Sequence, residues 1–117
     1  MRTPPPLDEA TYAVPITPTQ RKQYRAIGHH LQPIVVVAEN GISAGVRDEL
    51  DRALHDHELI KVRLTAENRD HRQELLNGVL AATGAELVQR IGHVALILRR
   101  SPQPKPALSN LMRHAKN

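Results

Sequence analysis

The chain has no cysteine, no phenylalanine and no tryptophan, and only two tyrosines among its 117 residues. Without cysteine there are no disulfides, no thiolate zinc sites and no cysteine nucleophile, a composition that fits a reducing cytosol. Tyr12 lies in a proline-rich stretch and Tyr24 on the apolar face of a helical segment. A sheet that stacks RNA bases on aromatic rings is therefore excluded. No apolar run is long enough to span a membrane, and the first fifteen residues lack the apolar core of a signal peptide. No Walker, Rossmann or nucleophile-elbow pattern occurs. The expectations are no membrane, no cofactor, no enzyme and a cytoplasmic protein.

The net charge of +4 is unevenly spread. Residues 16–98 hold ten Lys/Arg and ten Asp/Glu, the first fifteen residues sum to −1, and the last nineteen to +5. Pro4-Pro5-Pro6 and Pro15 mark residues 1–16 as a flexible arm, while Pro102, Pro104 and Pro106 mark 101–117 as a basic tail expected to be disordered, with a short helical turn at Leu108 to Met112, formed on a partner, as the alternative. Residues 17–100 remain as one domain with a modest core. A basic tail attracts polyanions in a salt-sensitive way, and nucleic acid is the commonest of them.

Local signals predict an α-β-α-β-α-β-β order. Thr17-Pro18-Thr19-Gln20 is a capping box with proline at the first helical position, opening a helix from Pro18 to about His30. Ile34–Val37 is a continuous apolar run of the kind found in a strand covered on both faces. A second helix runs from about Ser43 to His55 with an acidic exterior (Asp48, Glu49, Asp51, Asp56). Leu59–Leu64 alternates, with Ile60, Val62 and Leu64 on one face and Lys61 and Arg63 on the other. A third helix spans Arg69 to Thr83, capped by Asn68 and stopped by Gly84. Leu87–Ile91 and Val94–Leu98 form a hairpin through Gly92-His93, glycine in the first place favouring a type II′ turn. The pattern implies right-handed parallel crossovers and a final antiparallel edge, hence a mixed four-stranded sheet with helices.

The most suggestive chemistry is the turn Ala38-Glu39-Asn40-Gly41 between the first strand and the second helix. Glycine there permits positive φ and close approach, and the helix that follows offers unpaired N–H groups to a phosphate. Most such loops only make the turn. Arg21, Lys22 and Arg25 on the first helix, and Lys61 and Arg63 on the second strand, are either solvated or aimed at a polyanion. His29-His30 and His55-x-His57 invite a metal reading, but exposed helix ends explain them more simply. Ser43, His57 and Asp56 form a catalytic set on paper only, since Ser43 is better explained as a helix cap.

Four blocks of sequence match a known family in order and spacing. Gly28-His29-His30-Leu31-Gln32-Pro33-Ile34-Val35-Val36-Val37, Asn40-Gly41-Ile42, His57-Glu58-Leu59-Ile60-Lys61-Val62 and Thr83 to Gly92, with Leu96-Ile97-Leu98-Arg99 closing, resemble the CRM (chloroplast RNA splicing and ribosome maturation) domain. The likeness is closest to its bacterial single-domain, YhbY-like form. It implies a KH-like RNA-binding architecture and association with precursors of the large ribosomal subunit. RNA would be contacted through a GxxG loop at Ala38, Glu39, Asn40 and Gly41, with Arg21, Lys22, Arg25, Lys61, Arg63 and Arg99 as cationic contacts. Two positions depart from the family: Ala38 replaces the first loop glycine, and Leu98 stands where tyrosine is usual. Alanine at the first position weakens the loop if its φ must be positive and stiffens it if φ is negative. The expected partners are precursor ribosomal RNA and pre-ribosomal particles, with oligomeric state open. The alternative is an interaction adaptor that docks another protein through its sheet or its acidic helix.

Overall fold

A computed structural model describes residues 15–114. Residues 1–14, which hold most of the expected arm, and residues 115–117 of the expected tail lie outside that range. The elements are α1 (Pro18–Gly28), β1 (Pro33–Val37), α2 (Ala44–His57), β2 (Leu59–Leu64), α3 (Arg69–Thr83), β3 (Glu86–Ile91), β4 (Val94–Leu98) and a short α4 (Asn110–Arg113).

Each long helix starts where a side chain takes up one of its free N–H groups. The Gln20 N–H donates to Thr17 Oγ1 at 3.1 Å while Gln20 Oε1 accepts from the Thr17 N–H at 3.0 Å, closing the capping box of α1. Ser43 Oγ accepts from the Val46 N–H at 3.1 Å, and Asn68 Oδ1 from the His71 N–H at 2.7 Å. Gly84 ends α3 in the left-handed region at φ +71°. In the β3–β4 turn Gly92 has φ +57° and His93 does not share the positive sign, as a type II′ turn requires.

The sheet order is β1-β2-β4-β3, with β1 parallel to β2 and β4 antiparallel to both neighbours. The mixed four-stranded sheet is as expected, and the hairpin supplies its antiparallel edge. β4 lies inside the sheet and β3 takes the edge, because Ala95-Leu96-Ile97-Leu98 is buried on both faces. β1 departs from expectation. It is an edge strand whose Val35 and Val37 are buried, while Ile34 and Val36 are 47% and 53% exposed. Its unbroken apolar run signals one covered face, not two.

The two faces of the sheet are unequally covered. On one, Val35, Val37, Ile60, Val62, Leu64, Ala95 and Ile97 pack against Leu50, Leu54, Leu75, Leu76 and Val79 of α2 and α3. On the other, Leu59, Val88, Leu96 and Leu98 pack under Ile16, Tyr24, Ile27 and Leu31, and α4 adds Leu111. Ile16 thus belongs to the core and not to the arm, joining it one residue before the Thr17 cap. Gly28 lets α1 rest directly on β4, since a Cβ there would stand 2.6 Å from a Leu96 methyl.

The segment expected to be disordered folds back on the domain over residues 101–114. Ser101 N–H and Ser109 Oγ both donate to the Glu58 carboxylate at 2.6 Å, and Asn110 Nδ2 donates to the Leu59 carbonyl at 2.6 Å. The prolines exclude regular structure across 102–106, but they do not prevent side-chain anchoring after it.

Candidate nucleic-acid interface

The loop after β1 is a hydrogen-bonded turn. The Gly41 N–H donates to the Ala38 carbonyl at 2.9 Å, with Glu39 and Asn40 at the tip. Gly41 takes φ +89°, whereas Ala38 is not among the positive-φ residues, so alanine sits there without strain. The loop is braced from two sides. His71 near the start of α3 hydrogen-bonds the Glu39 carbonyl through Nε2 at 3.1 Å. Thr65 donates to the Val37 carbonyl from its N–H at 2.9 Å and from its hydroxyl at 3.1 Å.

This loop forms one wall of an open groove of about 680 Å³ at the end of the sheet, with Thr65–Glu67 opposite and Arg63 and His93 also lining it. Glu39 and Glu67 are its two acids. A second groove, of about 340 Å³, runs between the end of α1 and the uncovered half of the sheet. Lys61, Arg63, His29 and Gln89 line it, together with Ile91 and Val94, and no carboxylate does. Arg63 belongs to both grooves. The register explains why: Arg63 pairs with Val36 on β1 and Val94 on β4, so its side chain stands on the open face beside exposed Val36. Ile91, at the end of β3, is 64% exposed on the same face. Among the described residues neither Lys61 nor Arg63 has a carboxylate partner.

The other expected cations divide. Lys22 and Arg25 are exposed on α1 but line neither groove. Arg21 is half-buried and donates from Nη1 to the Leu87 and Val88 carbonyls at 3.0 and 2.6 Å. Those carbonyls flank the irregularity in the β3–β4 ladder, so Arg21 satisfies acceptors that the ladder leaves over. Arg99 lies at the opposite end of the sheet from the loop. Its backbone N–H bonds the Glu58 carbonyl, and its guanidinium bonds Asp51 Oδ1 at 2.8 Å, the Thr83 carbonyl at 2.9 Å and the Asp51 carbonyl at 3.1 Å. Arg21 and Arg99 are thus committed to holding elements together, and the structure does not bring Arg99 to the loop. His93 and Thr65 line the loop groove, and His71 braces its loop, without having been singled out from sequence. The period-2 pattern of β2 could have suggested which residues stand over its end, but only the strand order brings His93 there.

The Ser43, His57 and Asp56 set does not assemble. Ser43 and His57 stand at opposite ends of α2, about 20 Å apart by the helical rise, and Ser43 caps the helix. Lys105 Nζ lies 2.6 Å from Asp56 and, with His57 and His55 nearby, holds its carboxyl below the ordinary 3.8. No trio of metal-ligating side chains occurs among the described residues, and none of the described helices is long and apolar enough to cross a membrane.

The fold and this arrangement define a small α/β domain with a glycine-ended loop beside a half-open cationic sheet. Residues 16–99 match the CRS1 / YhbY (CRM) domain, and the chain belongs to that family. It is 51% identical over 100 residues to the "Probable RNA-binding protein PA4753" of Pseudomonas aeruginosa, covering 86% of this chain and 96% of the relative. It is 39% identical over 88 residues to an RNA-binding protein of Haemophilus influenzae, covering 74% and 89%. The solution structure of the hypothetical protein SAV1595 from Staphylococcus aureus superposes with a TM-score of 0.66 at 34% identity, covering 78% of this chain and 95% of that one.

Proposed function

We propose that this protein is a non-catalytic RNA-binding protein of the cytoplasm that acts on precursor ribosomal RNA during large-subunit assembly. The observation that carries the RNA reading is Arg63, unpaired with any carboxylate among the described residues and shared by the loop groove and the carboxylate-free sheet groove. A strand laid along both would meet the Asn40 side chain at the loop, then Arg63, then Lys61. Exposed Ile34, Val36 and Ile91 offer apolar surface to bases where aromatic rings are lacking. Lys22 and Arg25 add to the field without lining a groove, and Arg21 and Arg99 serve the fold. The names of the relatives support RNA as the partner. The ribosomal assignment extends the family resemblance and rests on the test below.

The test is sedimentation of the tagged protein from lysate on sucrose gradients, at two salt concentrations and with or without RNase. Co-migration with large-subunit precursors that RNase and added salt both abolish is the expected result. A protein that stays at the top of every gradient removes the ribosomal assignment. Co-migration that resists RNase would favour the adaptor. The structure weakens the feature on which that alternative leaned, because Asp51 is bonded to Arg99 and Asp56 to Lys105, leaving Asp48 and Glu49 as the exposed acids of that set.

A further inference from the structure

The segment after β4 lies beyond the family match, which ends at residue 99, yet it is fastened by a specific clasp. Glu58 is 3% exposed and adopts φ +63°, a conformation that L side chains rarely take. That turn out of α2 presents its carboxylate to the Ser101 N–H and the Ser109 hydroxyl, each at 2.6 Å. Asn110 and the His57 ring, which hydrogen-bonds the Leu108 carbonyl through Nδ1 at 2.9 Å, fix the same stretch. The clasp holds α4 on the sheet face that carries Lys61.

The result is a concentration of positive and protonatable groups. His30, His57, Lys61 and Arg113 line a recess of about 200 Å³ with Asn110 and Ile34, and no carboxylate lines it. The His114 ring lies parallel to that of His30, with centroids 6.3 Å apart and planes 8° from parallel. The nearest acids in sequence flank His57, and both are engaged: Asp56 by Lys105, Glu58 by the two serines. Neither Lys61 nor Arg113 has a carboxylate partner among the described residues. Cations gathered without a counter-charge repel one another unless an anion joins them. Lys61 is shared with the adjoining sheet groove, which in turn shares Arg63 with the loop groove, so the three recesses form one run.

We infer that the C-terminal strap, by delivering Arg113 beside Lys61, His30 and His57, completes a phosphate-binding pocket that takes a backbone phosphate of the bound RNA. The inference rests on the RNA reading above and adds a contact that the family-matched segment cannot make alone. The strap therefore lengthens the bound strand by extending its track away from the loop.

The test uses the full chain in two arms. In the first, inorganic phosphate is titrated while the histidine imidazole signals are followed by NMR. The signals of His30, His57 and His114 should shift saturably in the wild type, lose the response in Arg113→Ala, and regain it in Arg113→Lys. In the second, affinity for a fluorescent single-stranded RNA is measured against salt. Arg113→Ala should lower the salt slope by about one unit. Imidazoles silent to both phosphate and RNA, with RNA still bound, overturn the pocket and leave the RNA reading intact. A phosphate response with no binding of any RNA overturns both the RNA-phosphate assignment and the reading beneath it, leaving only a small-anion site. Arg113 is exposed at the end of α4, so its replacement leaves the clasp in place.

Discussion

The two faces of the sheet are built from the same strands and have opposite characters. The face under α2 and α3 is closed and aliphatic, with Val37, Leu54, Leu64, Val79 and Ile97 wholly buried. The face under α1 and α4 is covered only over Leu59, Val88, Leu96 and Leu98, and its remainder shows Ile34, Val36, Lys61, Arg63 and Ile91. A residue step of one along β2 separates Val62, which is core, from Arg63, which is exposed. The difference teaches where stability resides and where cations stay available: aliphatic burial on one side, and an incomplete cover on the other.

That comparison can be broken by substitution, and the largest effect should come from the closed face. Leu76→Ala should cost about 2–5 kcal/mol in urea unfolding, because it opens a cavity between α3 and the sheet. Val36→Ser on the open face should change stability by no more than about 0.5 kcal/mol. Comparable losses at the two positions would mean that the open face is covered in solution.

The arginines sharpen the contrast. Arg99→Ala should destabilise by roughly 1–2 kcal/mol, between an exposed ion pair and a charge-assisted bond to a half-buried carbonyl, and should leave the salt slope of RNA binding unchanged. Arg63→Ala should do the reverse, lowering that slope by about one unit with little change in the unfolding midpoint. If both variants move the slope equally, the division between structural and available cations is wrong.

In the loop, Gly41→Ala should cost about 1 kcal/mol because φ is +89°, whereas Ala38→Gly should cost a few tenths to about 1 kcal/mol by loosening the unfolded chain. Gly41→Ala should also weaken RNA binding if the turn is part of the interface, which anisotropy titration checks.

The smallest effect concerns pH. Lys105 holds the Asp56 carboxyl below its ordinary 3.8, so the pair contributes stability above that range and loses it as pH falls through the lowered value. Carboxyl NMR titration should show Asp56 moving upward in Lys105→Ala, and an unmoved Asp56 would mean that the strap does not hold Lys105 against α2.

Much of the fold was legible because its signals are local. Thr17 with Gln20, Ser43, Asn68, Gly84 and Gly92 each act within a few residues, and each does in the structure what its neighbours implied. The alternation of β2 correctly sorted Lys61 and Arg63 away from Val62 and Leu64. The apolar run of β1 misled because composition does not say whether one face of a strand is covered or both. Proline content also misled over residues 101–114, where Glu58, Ser109 and Asn110 provide anchors that no window of sequence contains together. At the candidate site the loop, Lys61 and Arg63 were legible, and His93 and Arg113 were not.

The amino-acid sequence by itself determined the order of elements, their caps and turns, the family and the absence of phenylalanine, tryptophan and thiol chemistry. These follow from side-chain inventory and from interactions that close over three or four residues. Only the tertiary structure decided that β4 would lie inside the sheet and that β1 would bare Ile34 and Val36. It alone decided that Arg21 would serve Val88, that Arg99 would serve Asp51, and that the strap would return to Glu58. Those pairings span roughly half the chain. They are won by burial and hydrogen-bond satisfaction summed over the whole core, which no local stretch of chain can evaluate.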